Sequence, residues 1–444
     1  MPDAPGSFRV RKFLLLALLP WALRPASVLA QDAETWNAHF QVTTVGQFQP
    51  SFHSPYAGAN SLSARGGLSE SLTATAAVGG RVATGTELWI DPELAQGKPV
   101  SGLVGLAGFP NGELAKTSSR IPTPYIARAF LRETLDLGGA PVAQESDVDQ
   151  LRGNVSSRRL VITAGRISLL DVFDANPVAH DPRSQFMNWV LMTHGAWDYA
   201  ADARGYSDGL AVELVEDAWA LRAGRFALPR QPNGLALDGR LGIHHGDQVE
   251  LAHTHELAGR AGSVRVLAFR DRARMVAWDD ALAAAPAGQA PSLDDGLARE
   301  HAKTGFGIDV DQALAADLSA FVRALRADGR TGTEAFAESD ASLSTGLALT
   351  GARWSRPRDT LGIAAAADAI SDAHRAYLAR GGMGAFVGDG ALRYGPERIL
   401  EAYYNAAIGA GFSLTADVQR IANPGYNKDR GPASAVALRL HWES

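Results

Sequence analysis

Phe412-Ser413-Leu414-Thr415-Ala416-Asp417-Val418-Gln419 decides the fold. Phe412, Leu414, Ala416 and Val418 fall on one face of an extended chain and Ser413, Thr415, Asp417 and Gln419 on the other, because successive side chains of a strand point to opposite sides. The segment makes one oily wall and one wet wall. Just before it, Leu400, Ala402, Tyr404 and Ile408 oppose Glu401, Tyr403 and Asn405. Near the start, Trp36, Ala38, Phe40 and Val42 oppose Asn37, His39, Gln41 and Thr43, and further on Phe306, Ile308 and Val310 oppose Gly307, Asp309 and Asp311. Segments of about ten residues with this alternation recur along the chain, bounded by Gly, Asp, Asn or Pro.

Soluble sandwiches also alternate, so the connections between strands carry the decision. Sixteen candidate strands fall at roughly 36–45, 69–79, 81–91, 124–136, 158–167, 209–216, 219–226, 247–256, 263–270, 304–312, 318–326, 341–351, 360–368, 397–408, 412–420 and 433–442. Long connections (46–68, 92–123, 168–208, 227–246, 271–303, 369–396, 421–432) mostly alternate with short ones, such as a minimal turn expected at Gly80, Asp217-Ala218, and Gly409-Ala410-Gly411. One connection, 137–157, is long on the short side. Long loops on one side and tight turns on the other mark an all-β, transmembrane antiparallel β-barrel with extracellular loops and periplasmic turns. Hydrocarbon offers no water to an exposed sheet edge, so the sheet closes on itself. Sixteen strands enclose a lumen too wide for wall side chains alone to fill.

The ends and the composition agree with export. Arg9, Arg11 and Lys12 run into the apolar segment Phe13 to Leu23, and Val28-Leu29-Ala30 supplies small residues for cleavage, so residues 1–30 are expected to be a signal peptide and 31–444 one barrel domain. The apolar segment is too short to span a bilayer as a helix. Removing residues 1–30 takes four basic residues and one acidic residue, which moves the formal charge from −6 to −9 and leaves no global attraction to nucleic acid. The chain has no cysteine, although its compartment permits disulfides. Only Gln31 to Thr35 precede the first candidate strand, too little for the N-terminal plug of an energised transporter.

The sequence resembles the carbohydrate-selective outer-membrane porins (OprB type). The resemblance is carried by Ser54-Pro55-Tyr56 to Ser61-Leu62, Glu87-Leu88-Trp89-Ile90-Asp91-Pro92-Glu93-Leu94, Gly108-Phe109-Pro110-Asn111-Gly112-Glu113, Asp171-Val172-Phe173-Asp174, and His180-Asp181-Pro182-Arg183-Ser184-Gln185-Phe186. It continues through Asp198 to Tyr206, Tyr394-Gly395-Pro396-Glu397-Arg398 and Arg420-Ile421-Ala422-Asn423-Pro424. It implies a sixteen-stranded barrel in the outer membrane of a Gram-negative bacterium that lets small sugars such as glucose diffuse into the periplasm. It also implies a monomer whose partners are sugar and outer-membrane lipid, with no cofactor. Many such barrels end in an aromatic residue; here Trp442 stands two positions before the end, where it can join the interfacial girdle.

A sugar channel needs charged groups for hydroxyls and ring faces for the apolar side of a pyranose. Glu87, Trp89 and Asp91 share the face opposite Leu88 and Ile90, with Glu93 just beyond, and Arg128, Phe130 and Arg132 share another. Trp89, Glu93, Arg128 and Arg132 are therefore candidate sugar contacts. Arg128 and Arg132 read equally well as solvated wall charges, Glu93 as a plain wall charge, and Trp89 as a girdle aromatic. Arginine on the lipid face would cost roughly 2–4 kcal/mol at the midplane. The longest loop, 168–208, mixes charges with large apolar side chains and is the candidate constriction; Asp181, Arg183, Trp197, Asp202 and Arg204 are its candidate contacts. Internal salt bridges, Asp181 with Arg183 and Asp202 with Arg204, are the alternative for those charges.

Enzymatic chemistry finds little support. A Gly-rich loop ending in Lys-Ser/Thr is missing from the sequence. His244-His245, and His253 with His255, read as loop or interfacial histidines better than as metal ligands. The Ala-rich stretch 281–290 reads as loop or short helix. A barrel hydrolase and a non-selective porin remain the alternatives to a sugar porin.

Overall fold

The computed structural model describes residues 33–444, so the expected signal peptide at 1–30 lies outside the described residues. The strands are β1 (Trp36–Gln49), β2 (Gly67–Ala83), β3 (Thr86–Lys98), β4 (Thr123–Asp136), β5 (Pro141–Gln144), β6 (Gly153–Ser156), β7 (Arg158–Ile167), β8 (Ser207–Glu216), β9 (Trp219–Phe226), β10 (His245–Leu257), β11 (Arg260–Met275), β12 (Arg299–Ala315), β13 (Leu318–Ala327), β14 (Ala341–Gly351), β15 (Arg356–Ala369), β16 (Glu397–Gly409), β17 (Phe412–Ala422) and β18 (Ala433–Glu443). Sixteen of them pair antiparallel with their neighbours, and β18 returns to β1, so no edge is left open. The remaining two, β5 and β6, form a separate hairpin inside the 137–157 connection. Three short helices, α1 (Trp189–Met192), α2 (Trp278–Ala284) and α3 (Asp372–Ala379), lie in the loops, α2 overlapping the start of the Ala-rich stretch.

The expected faces are the observed ones in β17, where Phe412, Leu414 and Val418 are exposed outward while Thr415, Asp417 and Gln419 are buried inward. Trp442 packs beside Phe412 at 6.1 Å on the outer face, as a girdle residue would. Outward Trp219 stacks on His253 at 4.1 Å, which places that histidine in the same interfacial belt.

One turn differs from the sequence expectation. β2 does not stop at Gly80 but runs to Ala83, and the turn is Thr84-Gly85, with Gly85 at φ +79°. Gly79 is a mid-strand glycine because the Trp89 indole lies on it: a Cβ there would sit 2.1 Å from the ring. A glycine that makes room for a neighbour looks, in sequence, like a glycine that makes a turn.

Loops fold into the lumen from both ends. From outside, 99–122 and 168–206 turn inward: Gln47 and Gln419 each donate to the Pro110 carbonyl at 3.0 Å. From the periplasmic side the β5–β6 hairpin folds up against the wall. Asn37 donates to the Gln150 carbonyl at 2.8 Å, and Leu151 is buried in the cluster that holds Trp89 and Phe130.

Candidate functional site

Loop 168–206 folds into the lumen and takes most of its backbone partners from one side of the wall. Its backbone groups, cut off from water, need partners; inward side chains of β13 to β18 supply most of them, and Glu250 of β10 accepts the Asp174 amide at 2.7 Å. Glu401 accepts from the Met187 and Asn188 amides at 2.6 and 3.1 Å. Arg439 donates to the Pro182 and Gln185 carbonyls at 2.6 and 2.8 Å, and Arg323 to the Leu191 carbonyl at 2.9 Å. Asp198 accepts four amides of residues 334–337 and the Lys303 ammonium at 2.9 Å, tying this loop to the next. Phe186 then packs edge-on to Tyr403 at 4.9 Å and against Phe321 at 6.1 Å, closing that half with an apolar core.

The other half stays open. A cavity of about 1470 Å³ follows the wall of β2 to β4 and β7 to β9, lined from Ser119 and Phe336 at the extracellular side to Gly85 and Asn154 at the periplasmic side. A β-bulge shapes its centre. The register of β3 and β4 slips between Asp91 and Pro92, so Asp91 faces Arg128 and Glu93 faces Tyr125 across the ladder, all four turned inward. Proline is tolerated at such a bulge because it has no ladder N–H to give.

Two guanidiniums organise the cavity. Arg128 donates twice to Asp171 of the long loop, at 2.8 and 2.6 Å, and stands 3.3 Å from Asp149 of the periplasmic hairpin and 3.4 Å from Asp91. Burial works against the charged form of Asp171, yet Arg128 holds it below the usual carboxylate range. Asp149 goes the other way: burial, helped by the negative Asp171, pushes it up. Arg183 bridges Glu93 and Glu113, each at 3.1 Å, and Glu93 also accepts from Thr75 at 2.6 Å and from the Tyr125 hydroxyl. Arg204 lies over the Tyr125 ring at 4.0 Å, with no carboxylate in ion-pair range among the described residues. Trp189, stacked edge-on to Phe336 at 5.8 Å, adds aromatic surface to the lining.

The family model described as "Carbohydrate-selective porin, OprB family" matches residues 59–443. The chain belongs to that family. It is a sugar-selective porin of the outer membrane, and family and fold point to a channel rather than an enzyme. Among solved structures, the high-pH structure of Pseudomonas putida OprB matches with a TM-score of 0.69 at 15% identity, covering 92% of this chain and 94% of that one. The low-pH structure of the same protein gives 0.51 at 12% identity, covering 92% and 93%. The outer membrane channel DcaP of Acinetobacter baumannii gives 0.53 at 8%, covering 93% and 97%. At such identities these likenesses speak for the fold alone. No curated protein sequence matches the chain significantly.

In this porin, seven of the nine candidate contacts line the cavity: Glu93, Arg128, Arg132, Asp181, Arg183, Trp197 and Arg204. Trp89 and Asp202 do not. Trp89 is fully buried between Gly79 and Phe130, donating to Glu87 at 3.1 Å, and is not a girdle residue. Asp202 pairs with Arg166 and accepts the Arg204 and Tyr206 amides. Trp197 lines the cavity but is only 1% exposed. The two loop salt bridges given as the alternative do not form: Asp181 accepts the backbone amide of Arg183 at 2.9 Å, while the guanidiniums of Arg183 and Arg204 turn to Glu113 and Tyr125. Arg132 donates to the Asp149 carbonyl at 2.6 Å and covers the Phe130 ring at 5.0 Å. His244 pairs with Asp238 at 2.7 Å and Glu300 at 3.0 Å in the outer loops. Sequence reasoning missed Glu113, Tyr125, Asp149 and Phe336; Pro92 within a strand pattern was the signal for the bulge that turns Tyr125 inward.

Proposed function

We propose that this porin passes monosaccharides such as glucose by passive diffusion along the open wall. In this reading Glu93, Arg128, Arg132, Asp181, Arg183 and Arg204 offer hydroxyl partners, while Trp89, Trp197 and Asp202 hold that surface in place from beneath. The observation that carries the reading is the continuous lining of paired guanidiniums and carboxylates beside Trp189 and Phe336. Groups already paired with each other give each sugar hydroxyl a weak bond, and a conducting site must release what it binds. The residues of one chain enclose the path, which favours a working monomer; cross-linking in native membranes is expected to give no stable trimer. Export with cleavage after Ala30 is part of the same proposal, so N-terminal sequencing of the exported protein is expected to start at Gln31.

Planar-bilayer recording of the Arg128→Ala/Arg132→Ala variant tests the site. Removing both cations leaves Asp91, Asp149 and Asp171 around one space, so conductance and cation preference are expected to rise. Glucose block should weaken several-fold rather than vanish, because each lost contact is worth about 1 kcal/mol. Unchanged glucose block and unchanged ion selectivity would place the sugar elsewhere. Liposomes carrying the porin are expected to swell in glucose and to cleave neither ester nor peptide substrates.

A further inference from the structure

The lipid-facing surface carries a feature that conduction does not use. Along β11 the inward residues Leu267, Phe269, Asp271, Ala273 and Met275 are buried, so the alternate residues face out. Those outward residues are apolar as far as Ala268 and then become Arg270, Arg272 and Arg274 at the extracellular end. The change coincides with the end of the apolar band on the neighbouring strands. Ala268 stands opposite outward Phe306 of β12 and Val249 of β10, 59% and 48% exposed. One step further out, Arg270 stands opposite Asp247 and Thr304, and Arg274 stands opposite Glu300. Arg326 of β13, opposite Phe306, and Arg225 of β9 extend the row to both sides.

The protein's own acids do not use up this charge. Asp247 is engaged by Arg225 at 2.6 and 2.9 Å. Glu300 is shared between His244 at 3.0 Å and Arg272 at 3.8 Å. Among the described residues Arg270, Arg274 and Arg326 have no carboxylate in ion-pair range, and Arg274 reaches only the Ala298 carbonyl. The periplasmic ends of β9 and β10 present Trp219, His253 and His255 outward, and β11 begins there with a single exposed Arg260, so the row of three arginines belongs to the other leaflet.

The geometry points to a docking surface on the outer face of β9 to β13 for the phosphorylated glycolipid of the outer leaflet. Its acyl chains would lie on Val249, Val266, Phe306 and Ile308, and its phosphates would meet Arg270, Arg272 and Arg274. Guanidiniums suit phosphate because they offer paired donors in one plane, and basic residues just beyond an apolar band attract anionic headgroups.

Native mass spectrometry of the delipidated porin in detergent, titrated with diphosphoryl lipid A, fully dephosphorylated lipid A or phosphatidylglycerol, tests this. Wild type is expected to bind diphosphoryl lipid A in preference to both others. Arg270→Gln/Arg272→Gln/Arg274→Gln is expected to lose about ten-fold or more in that affinity, while the corresponding lysine variant, which keeps the charge but not the paired donors, loses less. Arg270→Gln alone, a milder change, is expected to lose several-fold. Glucose conductance should match wild type in every variant, since these side chains face away from the lumen; sugar passage and lipid docking therefore fail separately. Equal binding by wild type and the glutamine variants, or equal binding of phosphatidylglycerol or dephosphorylated lipid A by wild type, would overturn the proposal.

Discussion

The two halves of the barrel interior are built from the same strand alternation and reach opposite ends. On the β12 to β18 side, inward charges are spent on the loop backbone: Glu401, Arg439 and Arg323 bind its amides and carbonyls, and Phe186 fills the remaining space against Tyr403 and Phe321. On the β2 to β9 side, inward charges such as Arg128 with Asp171 and Arg183 with Glu93 are spent mainly on other side chains, and the cavity remains. A wall that satisfies backbone becomes a seat for a loop; a wall whose side chains satisfy each other can stay wet. The long loop is thus both plug and lining, its backbone held mainly by β13 to β18 while its Asp171 and Arg183 reach Arg128 and Glu93 of the open wall.

That contrast sets the order of expected effects. The largest belongs to the filled half: Phe186→Ala removes the side chain that seats the loop and should cost about 3–5 kcal/mol. Thermal unfolding followed by the shift between unboiled and boiled gel mobility is the check, and single-channel conductance should rise as the loop loosens. A cost below about 1 kcal/mol would mean that the wall hydrogen bonds hold the loop without the aromatic core.

Acid should also act on the long loop, at His194. Burial pushes the His194 imidazole down to about 4, against the attraction of Asp174 3.7 Å away. The folded porin therefore keeps His194 neutral, while the unfolded chain binds a proton below about pH 6.5. Stability is full above about pH 6.5 and falls as pH drops toward about 4, by at most about 3 kcal/mol for this one group. His194→Gln should flatten the slope of melting temperature against pH across that window; an unchanged slope would assign the acid response to other groups.

The smallest stability effect is expected on the open side. Arg204 rests on Tyr125 without an ion-pair partner among the described residues, so Arg204→Ala should change stability by no more than about 0.5 kcal/mol while weakening glucose block in bilayer recordings. A large loss of stability would show that the open wall is as tightly built as the filled one.

Much of the barrel was legible in the sequence, because strand alternation and loop length are local signals. Phe412 to Gln419 reads correctly by itself, and so does the face shared by Arg128 and Arg132. The turn at Thr84-Gly85 was not legible, since the reason for Gly79 is an indole from the next strand. Nor were the partners of Arg183: Asp181 is two residues away in sequence, but Glu93 and Glu113 are brought to it by a bulged strand and a second inward loop. Residue types at the site could be read from the chain, whereas their pairing depended on which wall the long loop chose.

Sugar and ions are expected to travel along the open wall and not the filled one. The chain has no cysteine, so single cysteines can be placed at Ala95 on the open wall and at Ala366 on the filled wall and treated with a charged, membrane-impermeant thiol reagent during bilayer recording. Ala95→Cys is expected to react quickly with a stepwise fall in current, and Ala366→Cys, where the native residue is 5% exposed, to leave the current unchanged. Equal reaction rates and equal current loss at both positions would contradict the division of the lumen described here.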